Sequence, residues 1–346
     1  MATYNTELGR RGPGLLLRDI RSGGDPQVQA VVNVIAAATP DILLLQGIDF
    51  DHSGAALDAL AEALAGAGAS FPYRFAARPN AGVRTGRDHD GDGRVSGPGD
   101  AQGFGRFPGA DGMALLSRYP IEAGTVRDFS ALLWSDLPGA ILPTVEGRLF
   151  PDAALYEVQR LSSVAHWDVP VRVGESLLHL MAFHAAPPVF DGPEDRNGLR
   201  NCDELRLWPL YLDGELPGAP PPAERFVVLG DANLDPVDGD GRHGAIVALL
   251  SDPRLQDPMP RSAGARLAGS GGVNADQDGD PALDTADWDD TGPGNLRVDY
   301  VLPSTDLRVA GAGVLWPAPD VAKGVGADTV ATASRHRLVW VDLDLP

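Results

Sequence analysis

The segment 227–235 (VVLGDANLD) constrains the chain most, because an apolar run ends there in Gly-Asp-x-Asn. The apolar residues before Gly230 predict a buried strand. Side chains two residues apart on a strand share a face, so Asp231 and Asn233 would project from one edge of a sheet. A carboxylate able to take a proton would then lie beside an amide able to donate a hydrogen bond. Alone the pattern is weak, since Asp and Asn commonly form turns after strands.

Length and composition predict one large domain. The 346 residues are 43% hydrophobic, enough for a sizeable core. We expect a single domain over 1–346, with long acidic loops rich in Gly and Pro at about 80–110 and 265–295. No apolar run approaches the roughly 18 residues that cross a bilayer, so no membrane span is expected. The sequence shows no need for an obligate protein partner.

The compartment is predicted from weaker signals. The lone Cys202 cannot form an internal disulfide and does not settle the question. The chain starts almost at Asn5, without the apolar lead-in of a first strand, which suggests a missing leader. We therefore expect an extracellular or periplasmic protein and leave a cytoplasmic location open.

The net charge limits the class of partner. It is −20 at pH 7, whereas sequence-independent DNA binding depends on Lys and Arg that neutralise phosphates. Avid binding to duplex DNA is therefore disfavoured. Local basic residues or bound cations could still invert the field at a site, so a nuclease is not excluded.

Hydrophobic periodicity predicts helices and buried strands. Residues 26–38 carry an apolar stripe at helical spacing, with Asp25 and Pro26 as N-cap and first helical position. The other predicted helices are 55–65, 201–212 and 244–250, and the predicted strands are 42–45, 112–116, 177–183, 226–229, 298–302, 313–315 and 338–343.

Four further short patterns accompany Gly-Asp-x-Asn. They are 2–5 (ATYN), 42–46 (ILLLQ), 182–187 (AFHAAP) and a C-terminal pair, 297–302 (RVDYVL) with 334–336 (SRH). In this order and spacing the chain resembles the endonuclease/exonuclease/phosphatase superfamily, which has the fold of DNase I. The resemblance covers nearly the whole chain. It implies an α/β fold of four layers, an α-β-β-α sandwich of two packed mixed β-sheets with helices outside.

The resemblance also implies a catalytic set. By matched position, His184 is a general acid or phosphate donor, and His336 is a second histidine oriented by Asp299. Asn5 is expected to donate to a phosphoryl oxygen or help hold a metal. Asp231 and Asn233 are expected to orient the attacking water and stabilise the charge of the transition state.

Two positions depart from the family pattern. The family normally has Glu where this chain has Gln46, and Asp where it has Arg335. Both changes remove negative charge from the place where magnesium or manganese would bind. Three explanations stay open. Other carboxylates, Glu7 and Asp49 foremost, could hold the cation together with Gln46; Arg335 could take over its electrostatic role; or catalysis could be lost.

The acidic loops predict calcium binding. Asp88, Asp90 and Asp92 alternate before Gly93, as in the first part of an EF-hand loop, and Asp100 follows the twelfth position. The second cluster consists of Asp276, Asp278 and Asp280. Calcium in either loop would be structural, because neither cluster belongs to the catalytic motifs.

The expected activity is hydrolysis of phosphoesters by an activated water, as a phosphodiesterase, nuclease or phosphatase. The acidity favours small-molecule or single-stranded nucleic-acid substrates. Arg196 and Arg200 follow the His184 segment and are candidates for binding an anionic group. The alternative from another class is a catalytically impaired, calcium-stabilised binding module of the same fold. A serine hydrolase has little support, since no Gly-x-Ser-x-Gly occurs.

Overall fold

Two packed β-sheets with helices on their outer faces make up the described part of the chain. The structure, a computed structural model, describes residues 1–218, 220–319 and 324–345. The strands are β1 Ala2–Asn5, β2 Ile42–Ile48, β3 Tyr73–Phe75, β4 Gly112–Ser117, β5 Arg127–Asp128, β6 Thr144–Val145, β7 Arg148–Leu149, β8 Ala165–Val173, β9 Ser176–His184, β10 Phe226–Asp231, β11 Ala286–Asp287, β12 Asn295–Leu296, β13 Asp299–Pro303, β14 Arg308–Val314 and β15 Val339–Asp344. The helices are α1 Leu15–Ser22, α2 Pro26–Ala38, α3 Ala55–Gly66, α4 Arg196–Leu212, α5 Gly244–Leu250, α6 Ala263–Ala268 and α7 Ala327–Ala333.

Both large sheets are mixed. One has six strands in the order β14-β15-β1-β2-β4-β3, and the other has five in the order β13-β10-β9-β8-β5. Strand β1 runs parallel to β2, and β10 runs parallel to β9, while the remaining pairs in both sheets are antiparallel. The pairs β6-β7 and β11-β12 form two small sheets. The predicted α/β fold with two mixed sheets is confirmed.

Three apolar clusters separate the layers. The cluster between the sheets contains Leu44 from one sheet and Leu229 from the other. A second cluster joins the six-stranded sheet to helices α1, α2, α3 and α7, and a third joins the five-stranded sheet to α4 and α5. The helices therefore cover the outer faces, as the four-layer prediction requires. The prediction of a single domain stays a prediction.

The alternation of side chains along the strands directs polar residues into the gap between the sheets. On β1, Tyr4 packs among the helices, so its neighbours Thr3 and Asn5 face the opposite sheet. On β2, Leu44 belongs to the cluster between the sheets, and Gln46 lies on the same face. The same period places the last residues of β9 and β10 in this gap.

The predicted helices and strands overlap observed ones, but several boundaries differ, and helices α1, α6 and α7 and the short strands β3, β5, β6, β7, β11 and β12 were not predicted. Helix α2 spans 26–38 as predicted, and Asp25 caps it by accepting from the Val28 N–H over 2.9 Å. Helix α4 begins at Arg196 rather than at 201. Strand β14 begins at Arg308 rather than at 313. At the C-terminal motif, β13 begins at Asp299 rather than at 298.

Candidate active site

Asp231, the last residue of β10, is the central carboxylate of the site. It is fully buried. Asn5, at the end of β1 in the other sheet, donates from Nδ2 to Oδ2 of Asp231 over 2.8 Å. His184 pairs with Asp231 in the register of β9 and β10, and its Nε2 lies 3.4 Å from the same oxygen. Three strand ends thus converge on one carboxylate.

His336 approaches the same carboxylate from the segment before β15. Its Nδ1 lies 2.9 Å from Oδ2 of Asp299 and 3.8 Å from Oδ2 of Asp231. Its Nε2 lies 3.5 Å from Nδ2 of Asn5. The hydroxyl of Thr285 donates to the same Asp299 oxygen over 3.0 Å and thereby fixes that carboxylate. A carboxylate held against Nδ1 orients the ring and leaves Nε2 for a substrate.

The two histidines have opposite protonation states at neutral pH. Burial lowers the pKa of His184 to about 3, with the positive charge of His336 adding to the effect. Burial also opposes the charged form of His336, but Asp299 and Asp231 outweigh it and raise the pKa to about 9. Burial, reinforced by Asp299, raises the pKa of Asp231 well above its ordinary value. The arrangement therefore offers an imidazolium, a neutral imidazole and a carboxylate of raised basicity.

The turn after β10 is shaped to hold Asp231. Gly230 has φ 153°, and a Cβ there would fall 2.0 Å from the Phe183 carbonyl oxygen. Asn233 has φ 49°, and its N–H donates to Oδ1 of Asp231 over 2.8 Å. Its side-chain Nδ2 donates to the Ala185 carbonyl over 3.0 Å. In this structure Asn233 therefore orients Asp231 through its backbone and ties two loops together through its amide.

Helix α4 clamps the two loops that follow His184 and Asp231. Glu204 is fully buried, and it accepts from the backbone N–H groups of Ser163 and Ala186 over 2.5 and 2.7 Å. Asn201 donates from Nδ2 to the carbonyls of Ala186 and Ala232 over 2.7 and 2.8 Å. Burial raises the pKa of Glu204. Sequence reasoning missed these residues, since nothing in 196–212 marks a polar face turned inward.

Glu7 and Arg335, the residues predicted to hold or to replace the cation, are paired with each other. Together with Gln46 they are called the rim of the site below. The Arg335 backbone N–H and Nε donate to the Glu7 carboxylate, each over 2.8 Å, and Nη2 donates to it as well. The Ser334 hydroxyl donates to the same carboxylate over 3.2 Å. The Arg335 side chain is 61% exposed. Both oxygens of Glu7 are therefore engaged, whereas one edge of the guanidinium faces outward.

The other candidate metal ligands offer a poor donor set for a divalent cation. Gln46 is fully buried, its Nε2 donates to Oγ1 of Thr3 over 2.7 Å, and only a neutral amide oxygen remains. Asp49 accepts from the backbone N–H groups of Arg10 and Asp111 over 2.9 and 3.2 Å. Magnesium and manganese favour carboxylates and water. Gln46 and Asp49 do not suit such an ion, and Glu7 is taken by Arg335.

Ligand atoms of Asp231, Asp299 and His336 do lie within 4.8 Å of one another. However, the Nδ1 of His336 and the Asp299 carboxylate are bonded to each other. A cation between them would have to displace that bond. Asp111, whose Oδ1 would lie 1.7 Å from a Cβ on Gly9, is a further carboxylate near the rim that the sequence did not single out.

The predicted anion-binding arginines are not brought to this centre. Arg200 was expected to contact substrate, but it is buried and donates to the backbone carbonyls of Leu161, Gln102, Arg160 and Ser162. These carbonyls take up its guanidinium, and a role of Arg200 in substrate binding stays a prediction. Arg196 donates from Nη1 to the His89 carbonyl over 2.7 Å and so ties α4 to the first acidic loop.

The first acidic loop gathers part of the predicted calcium set. Ligand atoms of Asp88, Asp90 and Asp100 lie within 4.8 Å of one another. Asp92 is not part of this group and accepts from the Arg94 N–H over 2.7 Å. Asp100 is buried, and it accepts from the His89 N–H over 3.1 Å.

The second acidic loop does not gather its predicted set among the described residues. Asp280 pairs with Arg261, and Asp276 and Asp278 make no comparable group with it. Calcium in either loop stays a prediction.

No described helix is both long and apolar enough to cross a membrane.

A search of curated proteins gave no match to the sequence. Among solved structures, an endonuclease/exonuclease/phosphatase family protein from Leptotrichia buccalis is 15% identical, with a TM-score of 0.52 over 99% of this chain and 98% of that one. A mannosyl-6-phosphatase from Bacteroides thetaiotaomicron is 14% identical, with a TM-score of 0.50 over 99% and 98%. A Staphylococcus aureus beta toxin with bound magnesium ions is 11% identical, with a TM-score of 0.49 over 98% and 97%.

The family comparison covers the site itself. The model of the Endonuclease/Exonuclease/phosphatase family matches residues 2–336, from the first strand to the histidine that contacts Asp299. The convergence of Asn5, His184, Asp231 and His336 lies within this match. The chain belongs to the endonuclease/exonuclease/phosphatase family.

Proposed function

We propose that the chain hydrolyses phosphate esters at the buried centre of Asn5, His184, Asp231, Asp299 and His336. The observation that carries the proposal is the contact of both histidines with one buried carboxylate, 3.4 Å for His184 and 3.8 Å for His336. Members of this family are generally hydrolases that act on phosphate esters. This chain retains the groups that such a reaction needs.

The roles follow from the charges. Asp231, made more basic by burial, takes a proton from water as the water oxygen bonds to phosphorus. His336 carries a positive charge and presents Nε2 to a phosphoryl oxygen or to the departing oxygen, to which it can give its proton. His184 remains neutral and serves as a hydrogen-bond donor to the phosphate. The bond from phosphorus to the leaving oxygen breaks as that oxygen is protonated.

The substrate class is proposed from charge. A net charge of −20 repels long polyanions, so we favour small phosphomonoesters or phosphodiesters over duplex DNA. A nuclease would lose activity steeply with added salt, because each neutralised phosphate releases counterions. A small-substrate hydrolase would lose little. The extracellular or periplasmic location stays a prediction.

The test is hydrolysis of bis(p-nitrophenyl) phosphate, p-nitrophenyl phosphate and plasmid DNA by the wild type and His336→Gln. We expect turnover of at least one nitrophenyl ester and a loss of roughly 10²- to 10⁴-fold in the variant. His52→Gln is the matched control, because His52 is exposed and lies outside the centre. Absence of hydrolysis with every substrate would favour the binding-module alternative, and equal rates in His336→Gln would contradict the assigned site.

A further inference from the structure

We propose that the guanidinium of Arg335, rather than the divalent cation expected from the family, is the cationic group that contacts the phosphate, so that this chain cleaves phosphoesters without a metal ion. The inference rests on the proposed function, and it concerns the rim beside the centre. It follows from three features of that rim: the carboxylate that holds Arg335, the free edge of its guanidinium, and the lack of charge on Gln46.

The first feature is the way Glu7 holds the guanidinium. Glu7 lies two residues after Asn5, and Arg335 immediately precedes His336. The contacts from Nε, Nη2 and the backbone N–H of Arg335 to Glu7 therefore link the two chain segments that deliver centre residues. A guanidinium already fixed by a carboxylate loses less side-chain conformational entropy on binding an anion than a mobile guanidinium does. Glu7 acts here as a positioning residue for the cationic group.

The second feature is the edge that remains free. Within the described residues, Nη1 of Arg335 donates to no protein acceptor, and the side chain is 61% exposed. Guanidinium binds phosphate oxygens through paired N–H groups and keeps its charge at all accessible pH values. The outward edge can therefore contact a phosphate next to His336, which is the task of a metal ion in phosphoryl transfer.

The third feature is the charge balance. Glu7 and Arg335 cancel, and Gln46 is neutral, with its Nε2 committed to Thr3. A divalent cation would meet no net negative charge from these three residues. It would also compete with a guanidinium already bound to the Glu7 carboxylate.

The test compares the wild type with the reversion Gln46→Glu/Arg335→Asp, both carrying Asp90→Asn so that the first acidic loop does not bind metal. Electron paramagnetic resonance of Mn²⁺ measures binding, and bis(p-nitrophenyl) phosphate hydrolysis with and without chelator measures activity. We expect no Mn²⁺ bound and chelator-resistant hydrolysis in the Asp90→Asn protein. The reverted protein should bind one Mn²⁺. One Mn²⁺ bound by the Asp90→Asn protein and lost in Glu7→Gln would overturn the inference.

A second measurement tests the contribution of the Arg335 guanidinium to catalysis. Arg335→Ala should lower kcat/KM by roughly 10²-fold, as expected for removal of one group that stabilises the transition state. Free guanidinium ion should restore part of the loss, whereas magnesium should not. Arg308→Ala is the matched control, because Arg308 pairs with Asp344 at the far end of β14 and β15. Rescue by magnesium instead of guanidinium would contradict the assignment.

These readouts separate the two proposals. If no variant hydrolyses any ester, the proposed function fails, while the Mn²⁺ measurement still decides whether the rim binds a cation. If hydrolysis is present but depends on a metal held by Glu7, the function stands and the role of Arg335 is wrong.

Discussion

The centre and the rim of the site differ in the burial of their charged groups and in the partners that neutralise them. At the centre, Asp231 and Asp299 are fully buried and are held by hydrogen bonds from Asn5, Thr285 and His336. At the rim, the described residues include an ion pair between Glu7 and Arg335, whose side chain is exposed, beside a neutral Gln46. Under the proposed function, the centre holds the groups that activate water and bind phosphate. At the rim, Gln46 and Arg335 stand where the resemblance predicts Glu and Asp, and Arg335 is paired with Glu7.

Under the proposed function, this difference implies that the centre and the rim of a phosphoesterase site can change separately. The centre depends on strand ends that meet between two sheets, so each substitution there disturbs packing as well as chemistry. The rim depends on two exposed segments, where a change of side-chain charge costs little stability. A family member can therefore alter its source of positive charge while retaining its proton-transfer groups.

The largest effect should come from separating His336 from its carboxylate. Asp299→Asn removes the charge that raises the pKa of His336, so the imidazolium should be lost at a lower pH. We expect a loss of roughly 10²- to 10⁴-fold in kcat at pH 8 and an alkaline limb displaced toward neutral pH. A pH–rate profile of the variant checks this. An unchanged alkaline limb would show that Asp299 does not control the second histidine.

The pH dependence of the wild type should be bell-shaped. Activity requires Asp231 without its proton and His336 with its proton. Because the pKa of Asp231 is raised, activity should fall as the pH drops below neutrality, and it should fall again as the pH rises through about 9, where His336 loses its charge. The two apparent values belong to the interacting pair. A rate that rises continuously to pH 11 would argue for hydroxide generated on a metal rather than for this pair.

A smaller effect is expected from the clamp on helix α4. Glu204→Gln weakens acceptance from the Ser163 and Ala186 N–H groups, and it should cost about 1–3 kcal/mol of unfolding free energy. We expect kcat to fall while KM changes little, since Glu204 positions loops and does not touch substrate. Chemical denaturation and steady-state kinetics measure the two effects. Full activity in the Gln variant would show that the clamp serves stability alone.

The smallest expected effect is a change in stability on calcium binding, which should differ between the two acidic loops. If the group of Asp88, Asp90 and Asp100 binds calcium, a concentration 100 times Kd should raise the unfolding free energy by about 2.7 kcal/mol. Asp90→Asn should abolish the rise, whereas Asp278→Asn should leave it intact, because Asp278 belongs to no such group in the described residues. Thermal unfolding with calcium or chelator decides between them. Hydrolysis should respond to calcium in neither case.

The structure also shows what sequence could predict. Strand periodicity predicted the main strands, whereas the resemblance implied the two sheets and a catalytic set that includes Asn5, His184, Asp231, Asp299 and His336. The strand predictions succeed because a strand alternates its faces with a fixed period. The side chain of a residue at the end of a buried strand therefore has few possible orientations.

Other features depend on contacts that no local pattern encodes. Glu7 and Arg335 were both candidates for the site, but their pairing joins residues 328 positions apart. Strand β8 carries the buried polar residues His166 and Asp168 among apolar ones. In the fold, His166 contacts the Glu204 carbonyl and Asp168 contacts His179. The role of a polar residue on a buried face can be assigned only once its hydrogen-bond partners are known.

The most direct test of the account is the hydrolysis of bis(p-nitrophenyl) phosphate by chelator-treated wild type and by Asp231→Asn, with folding of both checked by circular dichroism. The account predicts turnover by the wild type that persists in chelator and a rate near background in the variant. Turnover by Asp231→Asn at the wild-type rate, or a wild type that is inert until magnesium or manganese is added, would contradict it.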